Sequence, residues 1–177
     1  YECRFLPIFA FRLLLFCHQH QDRRFKMQTR LSQQQVYSLN PGLVKHLTGL
    51  SALPEDTNIT AKLADLVRLR VSQINGCGFC QHMHSAELRS QGERQQRLDV
   101  LAAWREVPVF SEQETAALAW AEALTNIIDK HVEDDVYNQV SAIFNEKDIV
   151  VLTTVVLEIN SWNRIVKAFH FIPELTE

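Results

Sequence analysis

Residues 146–171 read "EKDIVVLTTVVLEINSWNRIVKAFHF". This stretch decides the fold, because its first half can be taken two ways. The run "IVVLTTVVL" (149–157) has the β-branched content of a strand. No other stretch offers a partner strand, and the apolar pattern continues through Trp162 and Ile165, too far for a single strand. The reading is therefore one long helix closed by Pro173. Its nearly all-round apolar character predicts deep burial, in the centre of a bundle or at a subunit interface.

The remainder of the chain agrees with a helical reading. "TNITAKLADLVRLRVSQIN" (57–75) places Leu63, Leu66, Val67, Val71 and Ile74 at three- and four-residue steps, which makes one apolar face. Asn75-Gly76 then breaks the pattern. A second helix is predicted from about Cys77 to Ser90, ending at Gly92. "NPGLVKHLTGLSALPED" (40–56) is a short helix stopped by Pro54, and "ERQQRLDVLAAW" (93–104) is another closed by Pro108. "FSEQETAALAWAEALTNII" (110–128) opens on Ser111 with Glu114 three residues later, the signature of a capping box. In "VEDDVYNQVSAIF" (132–144) the acids Glu133, Asp134 and Asp135 stand where a helix dipole favours negative charge. Only five Gly and five Pro occur in 177 residues, which disfavours a sandwich or barrel. The expected architecture is a single all-α domain, a helical bundle.

That domain is expected to span 27–177. The first 26 residues differ in character: "YECRFLPIFAFRLLLFC" is apolar but contains Arg12, lacks a small-residue cleavage site, and is too short to cross a membrane. They read as an extension foreign to the domain, with Met27 as its start. Five of the 18 basic residues and two of the 21 acidic ones lie in it, leaving 13 and 19 and a formal charge of −6. An acidic domain with no basic run is a poor partner for nucleic acid or an anionic membrane. Two cysteines remain, Cys77 and Cys80, too few and too close for a secreted disulfide scaffold. They point to a cytoplasmic protein with a dedicated site.

The site is "NGCGFCQHMHSAE" (75–87). At about 100° per residue, Cys77, Cys80 and His84 fall near 0°, 300° and 340° on a helix, whereas His82 falls near 140° on the other side. A haem attachment site needs His directly after the second Cys, and Gln81 stands there. A structural zinc site needs four ligands, and only Cys77, Cys80 and His84 share the face. A redox dithiol uses every part. Cys77 stands at the first turn, where unpaired backbone N–H groups favour a thiolate. Cys80 and His84 are four residues apart, so the imidazole can serve as its base. Cysteines three apart can close a disulfide. No cofactor and no metal is called for. His46, His131 and His170 lack ligand-spaced partners, and Arg68 and Arg70 are suited to pairing with acids.

With these residues in place, "DLVRLRVSQINGCGFCQHMHSAEL" (65–88) resembles the core motif of the AhpD-like alkylhydroperoxidases of the carboxymuconolactone decarboxylase superfamily: a carboxylate, then Cys-x-x-Cys-x-x-x-His about a dozen residues on. "FSEQETAALAWAEALT" (110–125) and "INSWNRIVKAFH" (159–170) extend the resemblance over most of 40–171. The resemblance implies an all-α domain assembled as a homotrimer, hexamer or larger ring. It implies a thiol peroxidase or disulfide oxidoreductase that takes a peroxide or disulfide substrate and is regenerated by a dithiol reductant protein. Carried over residue by residue, Cys80 is the peroxidatic thiol, Cys77 the resolving and more exposed one that meets the reductant, and His84 the relay between Cys80 and the carboxylate of Asp65. Two positions depart from the family: Asp65 stands for Glu, one C–C bond shorter, and Phe79 stands where a His can lie between the cysteines. These departures point toward a generic dithiol oxidoreductase or weak peroxidase. The alternatives are lactone decarboxylation, which needs no cysteine pair, and a zinc-bound or redox-sensing helical module.

Overall fold

The computed structural model describes residues 30–128 and 130–175, so the N-terminal extension 1–26 lies outside the described residues. Among the described residues there are eight α-helices, one 3₁₀ stretch and no strand, as the apolar periodicity predicts. In chain order they are α1 (Gln33–Leu39), α2 (Pro41–Ser51), α3 (Ala61–Ile74), α4 (Gly78–Ser90), α5 (Gln95–Val100) running into the 3₁₀ stretch Leu101–Glu106, α6 (Glu112–Thr125), α7 (Asp134–Ile143) and α8 (Glu146–Phe169).

Local chemistry sets most helix starts. Ser32 with Gln35 and Ser111 with Glu114 form capping boxes at α1 and α6. Asn40, Thr60 and Asn145 cap α2, α3 and α8 through their side-chain oxygens, and Pro41 occupies the first turn of α2, where its missing N–H costs nothing. The segment 93–104 is not the single helix expected. Ala103 (φ −115°, ψ 32°) falls out of helical geometry, and the chain past Leu101 is 3₁₀. Leu98, Leu101 and Trp104 are all buried and stand three residues apart, a spacing that a three-residue turn brings onto one side.

Helix α3 is the centre. It packs against α4, α6 and α8. Its Leu63, Ala64, Val67 and Val71 join the main core with residues of α6 and α8, while Leu66 and Leu69 join a second cluster with Leu88, Leu98, Leu101 and Trp104. Because α3 is buried on both sides, its polar Asp65, Arg68 and Ser72 are buried as well and must find partners inside the protein. Helix α8 lies along the other side of the main core. Its 24 residues are long and apolar enough to span a bilayer, yet Val151, Leu152, Val155, Val156 and Ile159 are spent on α2, α3 and α6. The burial is not all-round: Val150 and Leu157 remain 65% and 59% exposed. They are seven residues apart, two helical turns, on the side that no described helix covers. At its start, the Asp148 carboxylate accepts hydrogen bonds from the Thr57 hydroxyl (2.7 Å), the Asn58 backbone N–H (2.9 Å) and the Asn58 amide (2.7 Å), which ties the loop before α3 to α8. At its end, α8 stops at His170, three residues before Pro173. His170 takes a left-handed conformation (φ 56°), and the Phe171 N–H closes back on the Val166 carbonyl at 3.1 Å. That turn directs Phe171 toward the site.

Candidate active site

The turn between α3 and α4 carries the first cysteine. Gly76 takes φ +62°, a conformation that side chains resist, and this lets the chain reverse in one residue. The turn is held from α8. Asn75 donates its amide to Asn163 Oδ1 (2.8 Å) and Asn160 Oδ1 (3.0 Å), the buried Asn163 donates to Ser72 Oγ (3.1 Å), and Lys167 Nζ donates to the Asn75 carbonyl (2.6 Å). Cys77 is then the N-cap of α4, where its sulfur accepts the Cys80 backbone N–H at 3.4 Å.

Helix α4 sorts its residues as the 3.6-residue period demands. Cys80, His84 and Glu87 follow one line, Phe79 and Met83 the next, and all five border one cavity, whereas His82 is exposed. Cys77 and Cys80 are joined as a disulfide, with Cα atoms 5.4 Å apart. The expectation that Cys77 is the more exposed cysteine is not met. Each is 1% exposed, because the turn folds Cys77 into the main core. The difference between them lies in direction: Cys80 borders the cavity, and Cys77 is not among its lining residues.

His84 is 5% exposed, and its Nδ1 meets Glu87 Oε2 at 2.7 Å. That hydrogen bond holds the Glu87 carboxyl below its usual range. A carboxylate only accepts, so Nδ1 carries the proton, and in the neutral ring Nε2 is the bare nitrogen. Nε2 is buried and meets no hydrogen-bond partner among the described residues. Asp65 is close but not bonded to the ring: its Oδ1 lies 3.8 Å from Nδ1. Both Asp65 oxygens are taken, Oδ1 by Arg68 Nη1 (2.9 Å) and Oδ2 by the Gln91 amide (2.6 Å). Arg68 is spent in turn on Asp65, on Glu158 through Nε (3.1 Å) and on the Ser51 carbonyl through Nη2 (3.2 Å), while the Ser51 hydroxyl donates to Glu158 (2.8 Å). Burial alone would lower the Arg68 pKa; the two carboxylates outweigh it and raise it. Arg70 turns away and binds Glu122 at 2.7 Å.

Asp65, His84 and Glu87 present donor atoms within 4.8 Å of one another, close enough in principle for a cation. The Arg68 guanidinium already neutralises Asp65 at 2.9 Å, so a metal there would face a fixed positive charge. The residues do not fit a metal centre.

The cavity encloses about 510 Å³. Its polar half is the Asp65–Arg68–Glu158 cluster with Ser51, His84 and Glu87. Its apolar half comes from α1, α4 and α8: Tyr37, Phe79, Met83, Ile159, Trp162 and Val166. Tyr37 meets Trp162 edge-on at 6.1 Å, and Phe171 braces Tyr37 (6.3 Å) and Phe79 (6.4 Å) in the same way. Of the residues read from sequence, the fold therefore brings Cys80, His84 and Asp65 to one cavity, with Cys77 bonded behind Cys80. Sequence reasoning missed Glu87 and Glu158. Glu87 had a signal, since it stands three residues after His84 on the same helix; Glu158, remote in sequence, had none.

Residues 41–123 match the carboxymuconolactone decarboxylase family. The chain is 37% identical over 129 residues to Uncharacterized protein YdfG of Bacillus subtilis (strain 168), covering 73% of this chain and 88% of that protein. Among solved structures, an Agrobacterium tumefaciens protein of unknown function, named as a candidate AhpD antioxidant defence protein, superposes with a TM-score of 0.77 at 33% identity, over 84% of this chain and all of that one. An uncharacterized peroxidase-related protein from Ralstonia eutropha JMP134, described as an alkylhydroperoxidase AhpD core, shares the fold with a TM-score of 0.68 at 15% identity, over 79% of this chain and 75% of that one.

Proposed function

The chain belongs to the carboxymuconolactone decarboxylase family and has the AhpD-like helical fold, and from that premise we propose that it is a thiol-dependent peroxidase or disulfide oxidoreductase working through Cys77 and Cys80. The observation that carries this reading is the floor of the cavity: Cys80, already bonded to Cys77, lies one helical turn from a buried His84 with an unpartnered nitrogen.

In the proposed cycle the pair begins reduced. The bare Nε2 of His84 takes the Cys80 proton, and the imidazolium is stabilised by Glu87 at Nδ1. The Cys80 thiolate attacks the outer oxygen of a hydroperoxide. An S–O bond forms, the O–O bond breaks, and the leaving alkoxide takes the proton from His84, giving an alcohol and a Cys80 sulfenic acid. The Cys77 thiol attacks that sulfur, an S–S bond forms and water leaves. An external dithiol then supplies two electrons and two protons by exchange and is itself oxidised to a disulfide. Because Cys77 is buried away from the cavity, we assign the reductant's first attack to Cys80, the cysteine that borders it, and not to Cys77 as the resemblance implies. Cys77 leaves as a thiolate at the N-terminus of α4, where the Cys80 N–H and the helix dipole favour negative charge. The reducing partner, a cytoplasmic setting in which it operates, and a homotrimeric or hexameric assembly are part of the same proposal.

The test is peroxide consumption with a dithiol reductant. Turnover in the native protein, none in Cys80→Ser, and a sulfenic acid trapped at Cys80 in Cys77→Ser are expected. No turnover in the native protein, or equal turnover in Cys80→Ser, refutes the reading. Stoichiometric zinc bound to the reduced protein would favour a metal-stabilised module instead.

A further inference from the structure

We propose that the cavity above Cys80 is a binding site for uncharged organic substrates with an aromatic body, and that it rejects substrates bearing a carboxylate. The inference deepens the thiol-oxidoreductase reading by naming its substrate class, and its binding arm can be tested whether or not that reading holds.

The first argument is charge. The cavity is bordered by three carboxylates, Asp65, Glu87 and Glu158, and by one permanent cation, Arg68, a formal charge of −2 before His84 is counted. Protonating His84 leaves it negative. Recognition of a substrate carboxylate needs a cation with donors to spare, most often an arginine fork. Three of the five Arg68 N–H donors, one on each nitrogen, are committed, to Glu158, Asp65 and the Ser51 carbonyl, and its charge is already met by two carboxylates. At 8% exposure it is also held in place and cannot swing toward a ligand. A carboxylate in this cavity would be desolvated beside like charge and would have to share Arg68 with Asp65 and Glu158.

Shape is the second argument. One half of the cavity is an apolar wall in which Tyr37, Phe79 and Trp162 present ring surface. Phe171, from outside the cavity, braces Tyr37 and Phe79, and Tyr37 in turn meets Trp162 edge-on, so the rings are pre-shaped before any ligand arrives. Fixed aromatic walls favour planar apolar bodies by offset or edge-on contact. A volume of about 510 Å³ is within the range of sites for compact organic ligands and far exceeds what hydrogen peroxide fills. Cys80 and His84 lie where the apolar and polar halves meet, so a molecule with its ring against Trp162 can present a hydroperoxide or disulfide to them.

The test pairs a neutral probe with its charged twin. Binding of 2-phenyl-2-propanol and of its 4-carboxylate to the disulfide form is followed by NMR at the Cys80 and Met83 amides and the Trp162 indole N–H. In parallel, peroxidase kcat/KM is measured for cumene hydroperoxide and its 4-carboxylate. The neutral probe is expected to bind at least about tenfold more tightly, the direction that net negative charge dictates. Trp162→Ala is expected to weaken the neutral probe severalfold, and Phe79→Leu, which keeps the apolar volume, to weaken it less. Equal or tighter binding of the carboxylate overturns the proposal, as does unchanged alcohol binding in a folded Trp162→Ala variant. Selective binding of the alcohol without turnover of any peroxide supports this site assignment and refutes the peroxidase reading.

Discussion

Exchanging the carboxylates around His84 one at a time separates the group that tunes the imidazole from the group that holds the fold. In Glu87→Gln the 2.7 Å contact to Nδ1 keeps its geometry and loses its charge. A charge-assisted hydrogen bond contributes about 1.5–3 kcal/mol when dry. The Glu87 side chain is 45% exposed, so screening leaves roughly 1 kcal/mol. Glu87 stabilises the positive charge that the ring gains when it takes the Cys80 proton, so removing the Glu87 charge makes that transfer less favourable by about the same 1 kcal/mol. Less Cys80 thiolate then forms. The expected result is a loss of about fivefold in kcat/KM, while thermal stability changes little. In Asp65→Asn the ring loses no hydrogen bond, since Oδ1 is 3.8 Å away, but buried Arg68 loses one of its two anionic partners. That costs about 2–3 kcal/mol of stability and a fall in Tm of several degrees, with kcat/KM little changed while the variant is folded. Steady-state kinetics at 25 °C with thermal melts on both variants decide the matter. A severalfold loss of kcat/KM in folded Asp65→Asn and none in Glu87→Gln would refute the reasoning.

Two further outcomes concern the scaffold. Burial alone would raise the Asp148 pKa, but hydrogen bonds from Asn58 and Thr57 outweigh it and hold the carboxyl below the ordinary aspartate value. The stability this gives is complete above that ordinary, unfolded value and is lost as pH falls through the lower folded one. Asp148→Asn is therefore expected to melt several degrees below the native protein at pH 7, with the gap narrowing once the pH falls below the ordinary aspartate range; a gap independent of pH contradicts this. At the cysteine turn, Gly76→Ala forces a side chain into φ +62° and is expected to cost about 1 kcal/mol by urea denaturation. Gly78→Ala, at the start of α4 with nothing within 4 Å of the added carbon, is expected to be neutral or stabilising. Equal effects at the two glycines would count against the turn geometry.

How much of this was legible in the sequence follows from the range of the interactions. Starts such as Ser111 with Glu114, and the break at Asn75-Gly76, are written within three or four residues, and both stand where the reading placed them. The sorting of His82 from His84 needed only the helical period and also holds, with His84 buried and His82 exposed. What failed depended on distant chain. The break at Ala103 comes from the pull of Leu98, Leu101 and Trp104 into a cluster that α3 supplies. Exposure of Val150 and Leu157 depends on which sides of α8 the other helices reach. The burial of Cys77 comes from how α8 holds the turn, through an asparagine 88 positions away from Asn75.

Asp65 and Glu87 show where motif and geometry part. The motif places a carboxylate twelve residues before the first cysteine, and this chain keeps the charge there with a shorter side chain. The 3.8 Å separation from Nδ1 exceeds a hydrogen bond by about 1 Å, less than the one C–C bond by which Asp is shorter than Glu. Glu87 occupies the position that the longer side chain would contest. If that is why the two carboxylates divide their roles, lengthening one should replace the other. In Glu87→Gln/Asp65→Glu the added methylene has room, because residue 65 borders a cavity of about 510 Å³. The new carboxylate can reach Nδ1 while its other oxygen stays with Arg68 or Gln91. The expected double variant regains most of the kcat/KM lost in Glu87→Gln. Asp65→Glu alone should change kcat/KM little, since Glu87 already accepts from Nδ1. A double variant no better than Glu87→Gln would mean that the backbone at residue 65, and not one missing bond, keeps this position out of the relay.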